Sequence, residues 1–246
     1  MQAEPQLPRD LAPHGVLRAA INLGNTVLAQ RPDPGSDPTG VSVDLARALA
    51  VRLDVPVQFV VYDAAGKVFD GLANDDWDIA FLAIDSSRAE QITFSPPYLE
   101  IEGAFMARVD GPFQRCADVD RKGVKIAVGK GSAYDLFLSR SLVSAELERF
   151  PTSRESFSQF VAQELDVLAG VREVVKGFAA SSPQLRVFPE SFMTIRQAIC
   201  LPKHRSTGER FVANFVEEMK AEGIVAASLE RSGQTAATVA PPASEF

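Results

Sequence analysis

Arg88 stands just beyond the apolar run Trp77-Asp78-Ile79-Ala80-Phe81-Leu82-Ala83-Ile84, which reads as a buried strand. Ligands of parallel-sheet proteins bind just past the carboxyl ends of such strands. A guanidinium there offers a planar, permanently charged fork suited to bidentate capture of a carboxylate. A lone loop arginine is by default a solvated surface residue, so its surroundings decide the matter. The second candidate is Gly129-Lys130-Gly131-Ser132, which follows the strand-like Val124-Lys125-Ile126-Ala127-Val128 and opens a helix. Its backbone N–H groups suit an anion, although a plain structural turn reads equally well. Tyr134 occupies the place where a dinucleotide fingerprint needs its third glycine, which argues against a nucleotide site.

Other chemistry is not indicated. His14 and His204 lack partners at metal-ligand spacing, and no Ser-His-Asp order, Cys-His order or phosphate loop is present. No metal or cofactor is expected. Glu217 and Glu218 fall on the solvated face of a helix whose inward residues are Phe211, Val212, Phe215, Val216 and Met219, so they are not read as an acid pair.

The elements that position these residues alternate. Leu17–Asn22 reads as a strand, and the proline-rich stretch from Arg31 to Thr39 as a loop. An amphipathic helix carries Leu45, Ala46, Leu49, Ala50 and Leu53 on one face; Val55–Val61 is a second strand and Val68, Phe69 and Leu72 mark a short helix. After Gly111-Pro112 a second block begins. It holds the 124–128 strand, a helix through Leu136, Phe137 and Leu142, and a helix whose start is marked by Thr152 and Glu155. Leu165–Ala169 is a strand, Val171–Phe178 a helix and Phe192–Leu201 a further strand; Ser206 and Glu209 make a capping box for a helix ended by Gly223. Strand–helix alternation predicts α/β layers around parallel sheets.

The 246 residues, 46% hydrophobic and 23% charged, suffice for one large or two small domains with their own cores. The formal charge of -7, without a basic stripe, argues against nucleic acid. Cys116 and Cys200 are expected as two buried thiols rather than a disulfide. No run is long and apolar enough for a membrane helix, and Met1–Asp10 lacks a hydrophobic signal core.

The strand, Arg88 and the following Phe94-Ser95-Pro96-Pro97-Tyr98 resemble the signature of bacterial extracellular solute-binding proteins, family 3, the amino-acid type, with this chain an atypical member. The resemblance runs from Leu17 to about Arg231. It implies a periplasmic-binding-protein-like α/β fold of two lobes joined by a two-strand hinge, near Glu102–Met106 and Thr194–Ala198. One lobe would be discontinuous, 15–108 plus 191–232; the other would be 109–190, and 1–14 and 233–246 would be flexible ends.

The same resemblance implies the site. Arg88 would grip the ligand carboxylate, helped by the positions of Phe81 and Ala83, where the family commonly shows hydroxyls. Ser132, Ala133 and Tyr134 would form the clamp of the second lobe. Val171 falls where an aspartate usually pairs with the ligand ammonium, and Asp166 is typically structural. Glu102 is the nominated replacement acid, against the plainer reading of a solvated edge glutamate. Asn25 and Ala65 stand near positions that often present aromatics; Lys67 and Tyr62 are alternatives there, and Arg172 a further cation.

The implied function is a periplasmic, monomeric binding protein for a small carboxylate-bearing solute, delivered to the permease of an ABC importer. The solute would be an amino acid or, in preference, a related organic acid. A cyclohexadienyl-dehydratase-like enzyme on the same scaffold and a ligand-sensing module are the alternatives.

Overall fold

A computed structural model describes residues 10–205 and 208–243. The chain divides into two units. One takes the described residues up to Asp63, Lys67–Glu100 and those from Arg196 onward; the other takes Ala64–Gly66 and Ile101–Ile195.

In the first unit, strands β1 (Leu17–Asn22), β2 (Val57–Tyr62), β3 (Ile79–Ala83), β9 (Met193–Pro202) and β4 (Ile92–Arg108) lie in the order β2-β1-β3-β9-β4. β1 is parallel to β2 and β3, whereas β9 runs antiparallel to β3 with Ala83 opposite Gln197. Helix α1 (Val41–Leu53) buries Leu45, Ala46, Leu49 and Leu53, the stripe its periodicity predicts. Its N-terminus needs Gly40: φ is +112°, and a Cβ there would lie 2.7 Å from the Leu28 carbonyl oxygen. α2 (Ala65–Asp70) is the short helix before β3.

In the second unit the order is β4-β7-β5-β6, with β5 (Lys125–Gly129) parallel to β6 (Glu146–Phe150) and to β7 (Val167–Val171). β4 crosses antiparallel to β7, Gly103 opposite Val171, and β8 (Leu185–Val187) adds to β4. Helices α3 (Ala133–Ser141), α4 (Ser153–Ala162) and α5 (Arg172–Ala180) alternate with these strands. The core packs Met106, Phe160, Leu165, Leu168 and Val175.

Several expectations shift. β7 begins two residues later than expected; ahead of it the Asp166 carboxylate accepts the Lys125 N–H and the Leu165 carbonyl accepts from Arg108. β6 and β8 carry too little alternation to be read from sequence. The Thr152 hydroxyl does accept the Glu155 N–H at the start of α4. Ser206 of the other expected box lies outside the described residues; Gly208 is the N-cap of α6 (Glu209–Ala221). Gly223, at φ +74°, ends α6 as expected but also starts α7 (Ile224–Arg231).

Of the two ends, the described residues 10–14 and 233–243 make defined contacts, and the remainder lies outside the described residues. Within 1–14, Leu11 is fully buried and Asp10 accepts the Gly208 N–H at 3.0 Å. Within 233–246, β10 (Thr238–Val239) pairs with β4, and Ala240 is buried. Cys200 is buried as expected, but Cys116 is only half-buried; both thiols are free.

Candidate functional site

The parallel strands end at Asn22, Tyr62 and Ala83 in the first unit and at Gly129, Phe150 and Val171 in the second. Crevices beyond such ends are where open α/β sheets take ligands.

Arg88 opens a single 3-10 turn after β3 and is only 2% exposed. Its Nη1 donates to the Ala83 carbonyl at 2.9 Å. Asp85 shapes the loop by accepting the Ser87 N–H at 2.9 Å and the Ser87 hydroxyl at 2.6 Å. Burial pulls the Arg88 pKa below its ordinary value, opposed by Cys200 and the Asp85 carboxylate. A desolvated guanidinium of this kind favours an anionic neighbour.

Phe81 and Ala83 share one face of β3, as alternate strand residues do. Phe81 meets the Tyr98 ring edge-on at 6.0 Å, and the Tyr98 hydroxyl pairs with Ser42 at 3.2 Å. Phe81 is thus core, and β3 offers no side-chain hydroxyl beside Arg88. Asn25 is buried, its Oδ1 taking the Val27 N–H at 3.2 Å. Tyr62 and Lys67 are engaged locally: the Tyr62 hydroxyl donates to Asp76 at 3.1 Å, and Lys67 pairs with Asp63 at 2.7 Å. Burial and Asp76 push the Tyr62 pKa up to about 12. Ala65 starts α2 and groups with the second unit.

In the second unit, Ser132 caps α3, its hydroxyl accepting the Asp135 N–H at 3.1 Å. Gly131, at φ +69°, donates its N–H to Asp135 Oδ2 at 2.8 Å, while Arg149 holds Oδ1 at 2.9 Å. Asp135 therefore fixes the turn in front of Ser132 and Ala133. Tyr134 is buried and pairs with the Ser153 hydroxyl at 2.8 Å; burial raises its pKa. Val171 ends β7 and stands at the N-cap of α5, where its side chain makes no capping bond. Glu102, next to Gly103 on β4, is exposed and ion-paired with Arg172, whose Nη1 also donates to the Phe188 carbonyl at 2.8 Å.

The structure brings Phe81, Ala83 and Arg88 together in one unit, and Ser132, Ala133 and Tyr134 in the other. Val171 and Glu102 meet through Gly103 and Arg172. Sequence reading missed Asp135, although an acid three residues after Ser132 signals a helix start, and Gln197, a polar residue in an apolar strand. Among the described residues, no group of three or more His, Cys, Asp or Glu side chains is placed to hold a metal, and no helix is long and apolar enough to cross a membrane.

Two α/β units, each with parallel strands crossed by β4 and its neighbours, define the class: a periplasmic-binding-protein-type fold. The family described as bacterial extracellular solute-binding proteins, family 3, matches residues 25–234. The chain belongs to that family.

It is 30% identical over 138 residues to membrane-bound lytic murein transglycosylase F of Maricaulis maris, covering 54% of this chain and 29% of that protein. It is 24% identical over 153 residues to ABC transporter arginine-binding protein 1 of Escherichia coli, covering 61% of each. The chain therefore spans less than two thirds of the length of either relative. Among solved structures, the cysteine-binding protein from Campylobacter jejuni superposes with a TM-score of 0.77 at 18% identity, over 92% of each chain.

Proposed function

We propose that the chain binds a small carboxylate-bearing solute outside the cytoplasm and delivers it to the permease of an ABC importer, without transforming it. Arg88 carries this reading: a cation 2% exposed, braced on Ala83 just past the end of a parallel strand. Its fork would take the carboxylate. Membership of a solute-binding family supports the transport role.

The preferred solute is an organic acid rather than an ordinary amino acid. A buried ammonium needs a counter-charge. Val171 offers none, and the nominated replacement Glu102 already neutralises Arg172.

Thermal-shift screening against amino acids, keto acids and aromatic acids tests the reading. A ligand at a hundred times its Kd stabilises the native state by about 2.7 kcal/mol, which raises Tm by about 5–10 °C for a chain of this size. A panel in which no acid shifts the melt, while neutral or cationic compounds do, would contradict the carboxylate reading. Steady turnover of a bound acid such as prephenate would move the protein to the dehydratase class.

A further inference from the structure

Gln197 lies on β9 directly opposite Ala83, whose carbonyl anchors Arg88. The neighbouring Ile84 N–H donates to the Arg196 carbonyl at 2.9 Å, so Ile84 and Arg196 form the hydrogen-bonded pair. Ala83 and Gln197 are then the non-bonded pair, the class in which side chains on one face come closest, with Cβ atoms about 4.5–5.5 Å apart. Ala83 contributes only a methyl group there. The Gln197 side chain thus lies on the face of Ala83 and Phe81, at the strand end from which the loop that holds Arg88 leaves.

Gln197 is 5% exposed, yet its Oε1 is buried with no hydrogen-bond partner among the described residues. The other buried amides at this edge differ. Asn22 Oδ1 takes the Gly24 N–H at 2.9 Å and Asn25 Oδ1 takes the Val27 N–H at 3.2 Å, each closing its own turn. Buried side-chain acceptors are almost always filled, and leaving one empty works against folding. An apolar residue at position 197 would avoid that cost, and its neighbours Ala198 and Ile199 show that this strand accepts apolar side chains.

We infer that Gln197 is a ligand-contacting residue whose Oε1 accepts a hydrogen bond from the solute. The inference rests on the carboxylate reading and deepens it: the solute is an acid carrying a neutral hydrogen-bond donor, a hydroxyl or amide N–H, beside its carboxylate. A neutral acceptor in a buried place suits a neutral donor, whereas an ammonium there would also require a full counter-charge. Loss of that donor leaves Oε1 empty in the complex as in the free protein, which is how a site built on hydrogen bonding rejects the analogue lacking it.

The test is calorimetry on matched pairs, lactate against propionate, malate against succinate and 3-phenyllactate against 3-phenylpropionate, with wild type, Gln197→Leu and Gln197→Met. In wild type at least one hydroxy acid should bind about tenfold tighter than its partner, the ratio expected for one net hydrogen bond. Both variants should bring that pair to within about twofold while still binding the deoxy acid, and should melt at or above the wild-type temperature. Equal affinities within every pair in wild type overturn the inference and leave the carboxylate reading standing. So does discrimination that survives in both variants, or a melting temperature lowered in both, which would show the amide to be structural. Failure of all six acids to bind removes the carboxylate reading and this inference with it.

Discussion

Removing the charge of Arg88 while keeping its bulk, as Arg88→Met, separates ligand binding from folding. In the free protein Arg88→Met takes one donor at 2.9 Å from the Ala83 carbonyl and the positive charge that acts on Asp85, while Asp85 keeps both bonds from Ser87. One such bond is worth about 1 kcal/mol net. The variant also no longer desolvates a guanidinium, a relief that offsets part of the loss. Loss of that one bond corresponds to a fall in Tm of about 2–4 °C, at 2–4 °C per kcal/mol for a chain of this length. In the complex the loss is larger, because the ligand carboxylate stays buried without its partner; this costs about 2–5 kcal/mol, or about 30- to 5,000-fold in Kd. Arg88→Lys should also weaken binding, since an ammonium lacks the bidentate fork. Calorimetry with the tightest acid from the thermal-shift panel reads the effect. Affinity within about threefold of wild type in a well-folded Arg88→Met protein would take Arg88 out of the site.

Val171→Asp should place a carboxylate at the N-terminus of α5 and move preference toward an α-amino acid over its deaminated analogue by about tenfold or more, read as a ratio of Kd values; an unchanged ratio would separate Val171 from the ligand. Asp78 accepts from Arg18 at 2.7 Å and from Arg205 at 2.5 Å. Burial pushes its carboxyl up, but these hydrogen bonds outweigh it and hold the pKa below the ordinary range. Its contribution to stability is therefore complete above the unfolded value of about 4 and lost as pH falls below it. Asp78→Asn should cost about 3–5 kcal/mol at pH 7 in urea unfolding, with the gap to wild type closing toward pH 2; a gap constant with pH would contradict this assignment. Leu11→Ala should cost about 2–4 kcal/mol, since the side chain is fully buried against Gly208; an unchanged urea midpoint would make the N-terminal segment dispensable.

Much of the α/β order was legible because its signals are local and periodic. The stripe of α1 and the Val212, Phe215, Val216 and Met219 face of α6 bury as their spacing predicts. What escaped depends on neighbours distant in the chain. β4 runs unbroken through Pro96 and Pro97, residues that cannot donate to a sheet ladder and so give no local strand signal. β10 exists because Val239 finds Leu99, and Leu11 is buried because α6 begins beside it. The same limit governs the candidate site. Arg88 was legible from its place after a strand, whereas Gln197 became visible only through the register that sets it against Ala83. Glu102 was nominated as a spare acid, but whether it is spare depended on Arg172, far along the chain.

The central claim is that the protein recognises a carboxylate. Titrating wild-type protein calorimetrically with its best acid and with the carboxamide of that acid, at equal pH and ionic strength, tests it most directly. The two ligands match in shape and differ in charge. Binding of the acid should exceed that of the carboxamide by about 30-fold or more, the lower end expected when a buried charge pair loses one of its charges. Equal binding of the two, or tighter binding of the carboxamide, would contradict the assignment.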